Sequence, residues 1–293
     1  MKGETAMTTP DSVPYRTILY AVESGRARIT LNRPDKRNAL SEALLEELGH
    51  ALWEADADNR VHAVILQANG PDFSSGYDLG HYEGPAPKNA GHRRGRASFD
   101  DDIWRLERTQ RWRMALFDMH KPVVAKVHGR CLAGGTDLAL LCDIVICSDD
   151  ARFGFPPVRS QGSPPNHMWL YLMGPQWAKR MLFTGDLLLG GDAERLGLVL
   201  KSVPPGELDA EVEGLVDRMA QVDPDLLAAQ KRIVNLGLEL MGARTLQRIA
   251  AETDARGHLV RSREEFRKQV IEKGVKEAVR QRDEPFGDGI VRP

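Results

Sequence analysis

KPVVAKVHGRCLAGGTDLALLCDIVICSDDARFGFPP, residues 121–157, decides the fold of this chain. Its apolar runs at 122–127 and 143–147 are rich in β-branched residues and read as buried strands. Between them residues 129–135 make a glycine turn, and Ala133-Gly134-Gly135 opens a helix that continues through the apolar run 138–141. Backbone N–H groups in the first turn of a helix have no intrahelical acceptor, and glycine lets a ligand approach the main chain closely. Asp137, three residues on, shares a helix face with Gly134. An open donor and a carboxylate aimed at one point form a catalytic geometry. The plainer alternative is a packing turn in which Asp137 only favours the helix N-terminus.

Working outward, residues 61–67 form another buried strand, followed by Asn69-Gly70-Pro71-Asp72-Phe73-Ser74-Ser75-Gly76-Tyr77-Asp78-Leu79. A strand running into small residues at 74–76 repeats the arrangement at 129–135. Two such turns offer two main-chain donors, the number an oxyanion hole requires. Upstream, residues 18–31 pattern as a hairpin around Glu23-Ser24-Gly25, and Ser41 caps a helix with apolar positions Leu44, Leu45, Leu48 and Leu52. Residues 81–101 are rich in glycine, proline and charge and read as an inserted loop. Its His92, Arg93, Arg94 and Arg96 could meet phosphates, although a solvated basic loop is the better account of them. Residues 102–120 read as a helix. Past the Pro164-Pro165 loop, helical spacing resumes at Met168, Leu172, Trp177 and Met181, and a strand follows at 200–203. From residue 207 the pattern is nearly all helical, with apolar faces that call for subunit contacts.

The totals are ordinary for a soluble globular protein, 293 residues, 42% hydrophobic and 28% charged, and the alternation of strands and helices makes it α/β. A net charge of −2 selects neither nucleic acid nor an anionic membrane as partner. Cys131, Cys142 and Cys147 are odd in number and form no CxxC pair, which implies reduced thiols and a cytoplasmic setting. No ligand cluster calls for a metal or redox cofactor. Residues 1–12 read as a flexible tail without targeting features.

Four blocks resemble the crotonase (enoyl-CoA hydratase/isomerase) superfamily: LNRPDKRNALS at 31–41, PDFSSGYDL at 71–79, the stretch 121–156, and the C-terminal pieces TGD…AERLGLV and AVRQRDEPFGDG. The resemblance implies a crotonase-like ββα spiral over residues 13–205 and a helical oligomerisation region over 206–293, assembled as a homotrimer or a dimer of trimers. It implies acyl-CoA chemistry through a thioester enolate, with coenzyme A entering as part of the substrate and no separate cofactor. The first block looks like the loop for the adenosine end of coenzyme A, and with the second it assigns Lys36, Arg37, Ala39, Leu40, Ser75, Gly76, Tyr77, Asp78 and Leu79 to coenzyme A. Position by position, Ser75 and Gly134 match the oxyanion donors, and Asp137 matches a catalytic glutamate. A second family glutamate is matched by Pro157, which has no titratable group, and the glycine-rich loop that follows is shortened to Gly162-Ser163-Pro164-Pro165-Asn166-His167. One carboxylate suits an isomerase better than a two-glutamate hydratase. His167, Tyr171 and Asp78 are candidates to assist it, with His128 more naturally structural. A related hydrolase or lyase, or a CoA-ester binder without catalysis, are the alternatives.

Overall fold

The computed structural model describes residues 15–80 and 98–293. The expected tail and residues 81–97 of the expected inserted loop lie outside the described residues. Strands β1 (Ile18–Glu23) and β2 (Arg26–Leu31) form the hairpin, turning through Ser24 and Gly25 at positive φ. There follow α1 (Glu42–Ala57), β3 (Ala63–Ala68), α2 (Phe99–Asp118), β4 (Val123–Val127), β5 (Arg130–Leu132), α3 (Gly134–Ala139), β6 (Ile144–Ser148) and β7 (Arg152–Gly154). Then come α4 (Met168–Thr184), β8 (Leu187–Leu189), α5 (Gly190–Arg195) and β9 (Lys201–Val203). The chain ends in α6 (Leu208–Met219), α7 (Pro224–Leu240), α8 (Ala243–Gly257), α9 (Arg261–Lys273) and α10 (Val275–Asp283). Among the described residues no helix is long and apolar enough to cross a membrane.

One sheet runs β1-β2-β3-β4-β6-β9, antiparallel only at β1/β2, and a second runs β5-β7-β8. Side chains alternate across a strand, and here both faces are covered. Val64 and Leu66 of β3 join Val123, Ala125 and Val127 of β4 against Leu44, Leu48 and Leu52 of α1. Ala63, Ile65 and Val124 face the other way, onto Val212 and Val216 of α6. Two buried faces are why these strands read as unbroken apolar runs. Helix α6 therefore packs on the sheet although it follows residue 205, where the core was expected to end.

Capping sets two helix starts. The Ser41 hydroxyl accepts the Leu44 N–H at 3.2 Å, as its position predicted. Helix α2 begins at Phe99, earlier than expected, because the Ser98 hydroxyl accepts the Asp101 N–H at 3.1 Å and Asp100, Asp101 and Asp102 fill the first turn. A run of acids that reads as loop is in fact the favoured composition for a helix N-terminus.

Helix α7 is tied to the sheet by a buried cation. Lys231 Nζ meets the Asp143 carboxylate at 2.8 Å and donates to the carbonyls of Leu116 (2.8 Å) and Lys121 (3.1 Å). Asp143 also accepts the Val123 N–H at 2.7 Å. Lys231→Met leaves that carboxylate unpaired and is expected to lower stability by about 3–5 kcal/mol. Urea unfolding checks this: the midpoint should fall, and adding Asp143→Asn should restore part of it. An unmoved midpoint would remove the pair from any account of stability.

Candidate active site

Strands β3 and β4 are parallel neighbours, in register at Val64 with Val123 and Leu66 with Ala125. The turns that follow them consequently leave the sheet at the same edge. Main-chain bonds zip the two together: Phe73 N–H to His128 O (3.0 Å), Ser74 N–H to Arg130 O (2.9 Å) and Leu132 N–H to Ser74 O (3.0 Å). The loop carrying Lys36, Arg37, Ala39 and Leu40 lies alongside. Leu40 N–H donates to Gly76 O (2.8 Å) and Asp78 N–H to Leu40 O (3.1 Å). Asn38 locks this junction, its fully buried amide donating to the carbonyls of Asn69 (2.8 Å) and Asp72 (2.9 Å).

This packing corrects one expected role. The Ser75 N–H donates to Arg37 O at 2.9 Å, so it is not open to a ligand. The open donor of this turn is two residues on: among the described residues, the N–H groups of Tyr77 and Gly134 have no hydrogen-bond partner. The turns touch at Gly76, where φ is +98° and an added Cβ would lie 2.6 Å from Ala133 Cβ and 3.3 Å from Gly134 N. Ala133 itself sits at φ 50°, ψ −119°, a conformation that costs a non-glycine residue about 1–3 kcal/mol. Strain of that size marks a backbone held in place by its surroundings.

Asp137 is fully buried one turn after Gly134. Its carboxylate accepts the Tyr77 hydroxyl at 2.5 Å and the Asn166 amide at 3.2 Å. Asn166 is itself fully buried and also donates to Asp137 O at 3.0 Å. Burial pushes the Asp137 carboxyl up from 3.8 to about 7, against the pull of the Arg113 guanidinium and the Tyr77 hydrogen bond, with Asp254 adding to the rise. Burial likewise holds the Tyr77 hydroxyl well above its ordinary value, so it stays a donor. The Tyr77 ring lies over Gly134, where an added Cβ would come within 2.9 Å of it. Tyr77 thus supplies an open N–H to one side of the site and a hydroxyl to the carboxylate.

The expected assistants divide. Asp78 accepts the N–H of Gly80 (2.9 Å) and the Arg33 guanidinium (2.8 Å), a turn-capping role. The Tyr171 hydroxyl donates to Met241 O at 3.3 Å, and His128 Nε2 lies 2.8 Å from Gly70 O. His167 precedes α4 next to Asn166, and burial lowers its pKa. Pro157 lies in a short helical turn, residues 156–159. Asn166, Arg113 and the Tyr77 N–H escaped the sequence reading. Arg113 sits in α2, 2% exposed, with its guanidinium 5.6 Å from the centre of the Tyr77 ring. Leu79 packs on Phe266 and Val270 of α9, linking the turn to the C-terminal helices. A separate cleft of about 300 Å³ is lined by Arg37, Arg130, Arg152, Asp72 and Asp150, and it includes none of Tyr77, Gly134 or Asp137.

Residues 21–288 match the family model for enoyl-CoA hydratase/isomerase. The chain belongs to that family. A crystal structure of an enoyl-CoA hydratase from Mycobacterium smegmatis superposes with a TM-score of 0.87 at 36% identity, covering 94% of this chain and 95% of that one. An enoyl-CoA hydratase/isomerase from Xanthobacter autotrophicus Py2 gives 0.85 at 32% identity, with 93% and 99% covered. EchA13 of Mycobacterium tuberculosis, named for enoyl-CoA hydratase, is 35% identical over 253 residues, 78% of this chain and 75% of its own. The crotonase fold with its C-terminal helices is therefore shared, and the chain is an enzyme of the hydratase/isomerase family acting on acyl-CoA.

Proposed function

We propose that this enzyme moves a proton at the α-carbon of an acyl-CoA thioester through an enolate, with Asp137 as the sole acid/base carboxylate. The observation that carries the reading is one buried carboxylic acid, bonded to Tyr77, placed beside two open N–H groups on touching turns. In this reading the Tyr77 and Gly134 N–H groups receive the thioester oxygen as it gains negative charge, a contribution of several kcal/mol in a site closed to water. A carboxyl titrating near 7 is matched to taking and returning a proton at neutral pH. With proline at 157 that position offers no carboxylate to manage a water, which favours isomerisation of an enoyl-CoA over hydration. Coenzyme A enters only as part of the substrate, along the loop at 36–40 and the turn at 76–79.

The test is α-proton exchange. Acyl-CoA esters incubated with the protein in D₂O should gain deuterium only when enzyme is present. Tight ester binding without any uptake would replace this reading with that of a binder. The assembly belongs to the same proposal: Leu226, Ile233, Val234 and Leu240 of α7 and Leu259 after α8 are exposed apolar residues that a homotrimer, or a dimer of trimers, would cover. Light scattering on the eluting protein should give three or six subunits, and a monomer would overturn that part.

A further inference from the structure

Arg113 is a cation that the folded chain leaves unfinished. It is 2% exposed, and arginine does not lose its proton in a protein. Nε donates to Gln110 Oε1 at 2.8 Å, and Gln110 in turn donates to Gln247 at 3.2 Å, so the side chain is held from behind by α2 and α8. Among the described residues no carboxylate lies within 4.0 Å of it, and Nη2 is buried with no hydrogen-bond partner. The nearest acids are otherwise engaged. Asp137 is bonded to Tyr77 and Asn166, and Asp254 accepts the Ser163 N–H at 2.9 Å. A buried charge with an unmade hydrogen bond is costly to a fold. This one stands beside Tyr77, whose hydroxyl touches the acid/base carboxylate and whose N–H is an open donor.

We propose that Arg113 Nη2 is the docking point for an oxygen on the acyl group, so that the substrates are CoA esters whose acyl chain carries an acceptor oxygen, a carboxylate or a neutral oxo or hydroxyl group, away from the thioester. The inference rests on the proposed function, because it takes the acyl chain to run from the two N–H donors past Asp137. An acceptor arriving there completes the hydrogen bonding of Arg113. An unsubstituted alkyl chain leaves it unmet, and a site built to bond an oxygen discriminates strongly against analogues lacking it.

Binding tests this without requiring turnover. Saturated CoA esters of four, six and eight carbons are titrated calorimetrically in three forms: unsubstituted, oxo-substituted near the chain end, and ω-carboxylated. The parent protein should bind one oxygenated series about 10–100-fold more tightly than the unsubstituted one. The preferred series tells an anion site from a neutral acceptor site. Arg113→Met should collapse that ratio towards one, and Arg113→Lys, which keeps the charge and loses the planar fork, should retain part of it. Equal affinity for all three forms in the parent protein overturns the inference. If unsubstituted esters in that case still exchange their α-protons, the proposed function stands while the role of Arg113 falls. If no ester binds, both fall together.

Discussion

Asp137→Asn is expected to lower α-proton exchange by about 10³-fold or more while leaving the affinity for CoA esters nearly intact. The substitution keeps the shape of the side chain: its oxygen still accepts from the Asn166 amide, its NH2 reverses the bond to Tyr77 by donating to that hydroxyl, and the ability to take a proton is lost. The parent enzyme should show exchange falling about tenfold per pH unit below 7, where Asp137 becomes protonated, and the variant should lack that limb. Stability supplies an independent sign. In the folded chain Asp137 titrates near 7, against 3.8 when unperturbed, so the fold binds this proton more tightly than the unfolded chain does. Its contribution is complete below pH 3.8 and is lost as pH rises through 7. Asparagine has no charged form to bury, so the variant should unfold at higher denaturant than the parent at pH 8, with the gap closing towards pH 5. A variant that loses activity while gaining stability cannot owe its defect to misfolding. Full exchange in Asp137→Asn would sink the assignment.

Gly76→Ala should damage both the fold and the chemistry. At φ +98° an alanine is strained by about 1–3 kcal/mol. Its Cβ would also meet Ala133 Cβ at 2.6 Å and Leu132 O at 2.9 Å, an overlap that costs about 1–3 kcal/mol more to relieve. Relief means parting the two turns, which separates the Tyr77 and Gly134 N–H groups. Loss of one such donor typically lowers a rate about 10²–10³-fold. Gly70→Ala is the comparison: φ is +85° and the new Cβ would lie 2.7 Å from Pro34 Cβ, away from both donors. Thermal unfolding should show both variants destabilised, with proton exchange at low temperature lost only in Gly76→Ala. If the two keep equal rates, the contact at Gly76 does not set the donor geometry.

Much of this architecture is written locally. Residues 63–68 and 123–127 declare themselves as strands because sheet neighbours on either side and helices on both faces leave little room for polar side chains. Gly134 and Asp137 are legible for a similar reason, since a glycine turn before a short helix has few conformations. The first donor is different. Along Ser74-Ser75-Gly76-Tyr77 each N–H is equivalent on paper, and the outcome depends on the carbonyl of Arg37 reaching Ser75 across the turn. That is a tertiary fact, and it moves the open donor to Tyr77. Arg113 is hidden for the same kind of reason: in the run RTQRWRMALF nothing local says which arginine turns inward, and only the packing of α8 on α2 decides it.

The alignment of β3 with β4 has a consequence for how such an enzyme changes over time. The spacing of the two turns is inherited from the ladder between neighbouring parallel strands, so it is as durable as the sheet itself. In the proposed mechanism the proton is handled by Asp137 on a short helix, while its partner Asn166 and the proline at 157 lie in separate connections. The frame keeps its register whichever side chains stand at these positions, although Asn166 and Asp137 answer to each other through their hydrogen bonds. The chain is built like a vise with replaceable jaws, in which the grip on the substrate persists while the chemistry performed on it is refitted one residue at a time.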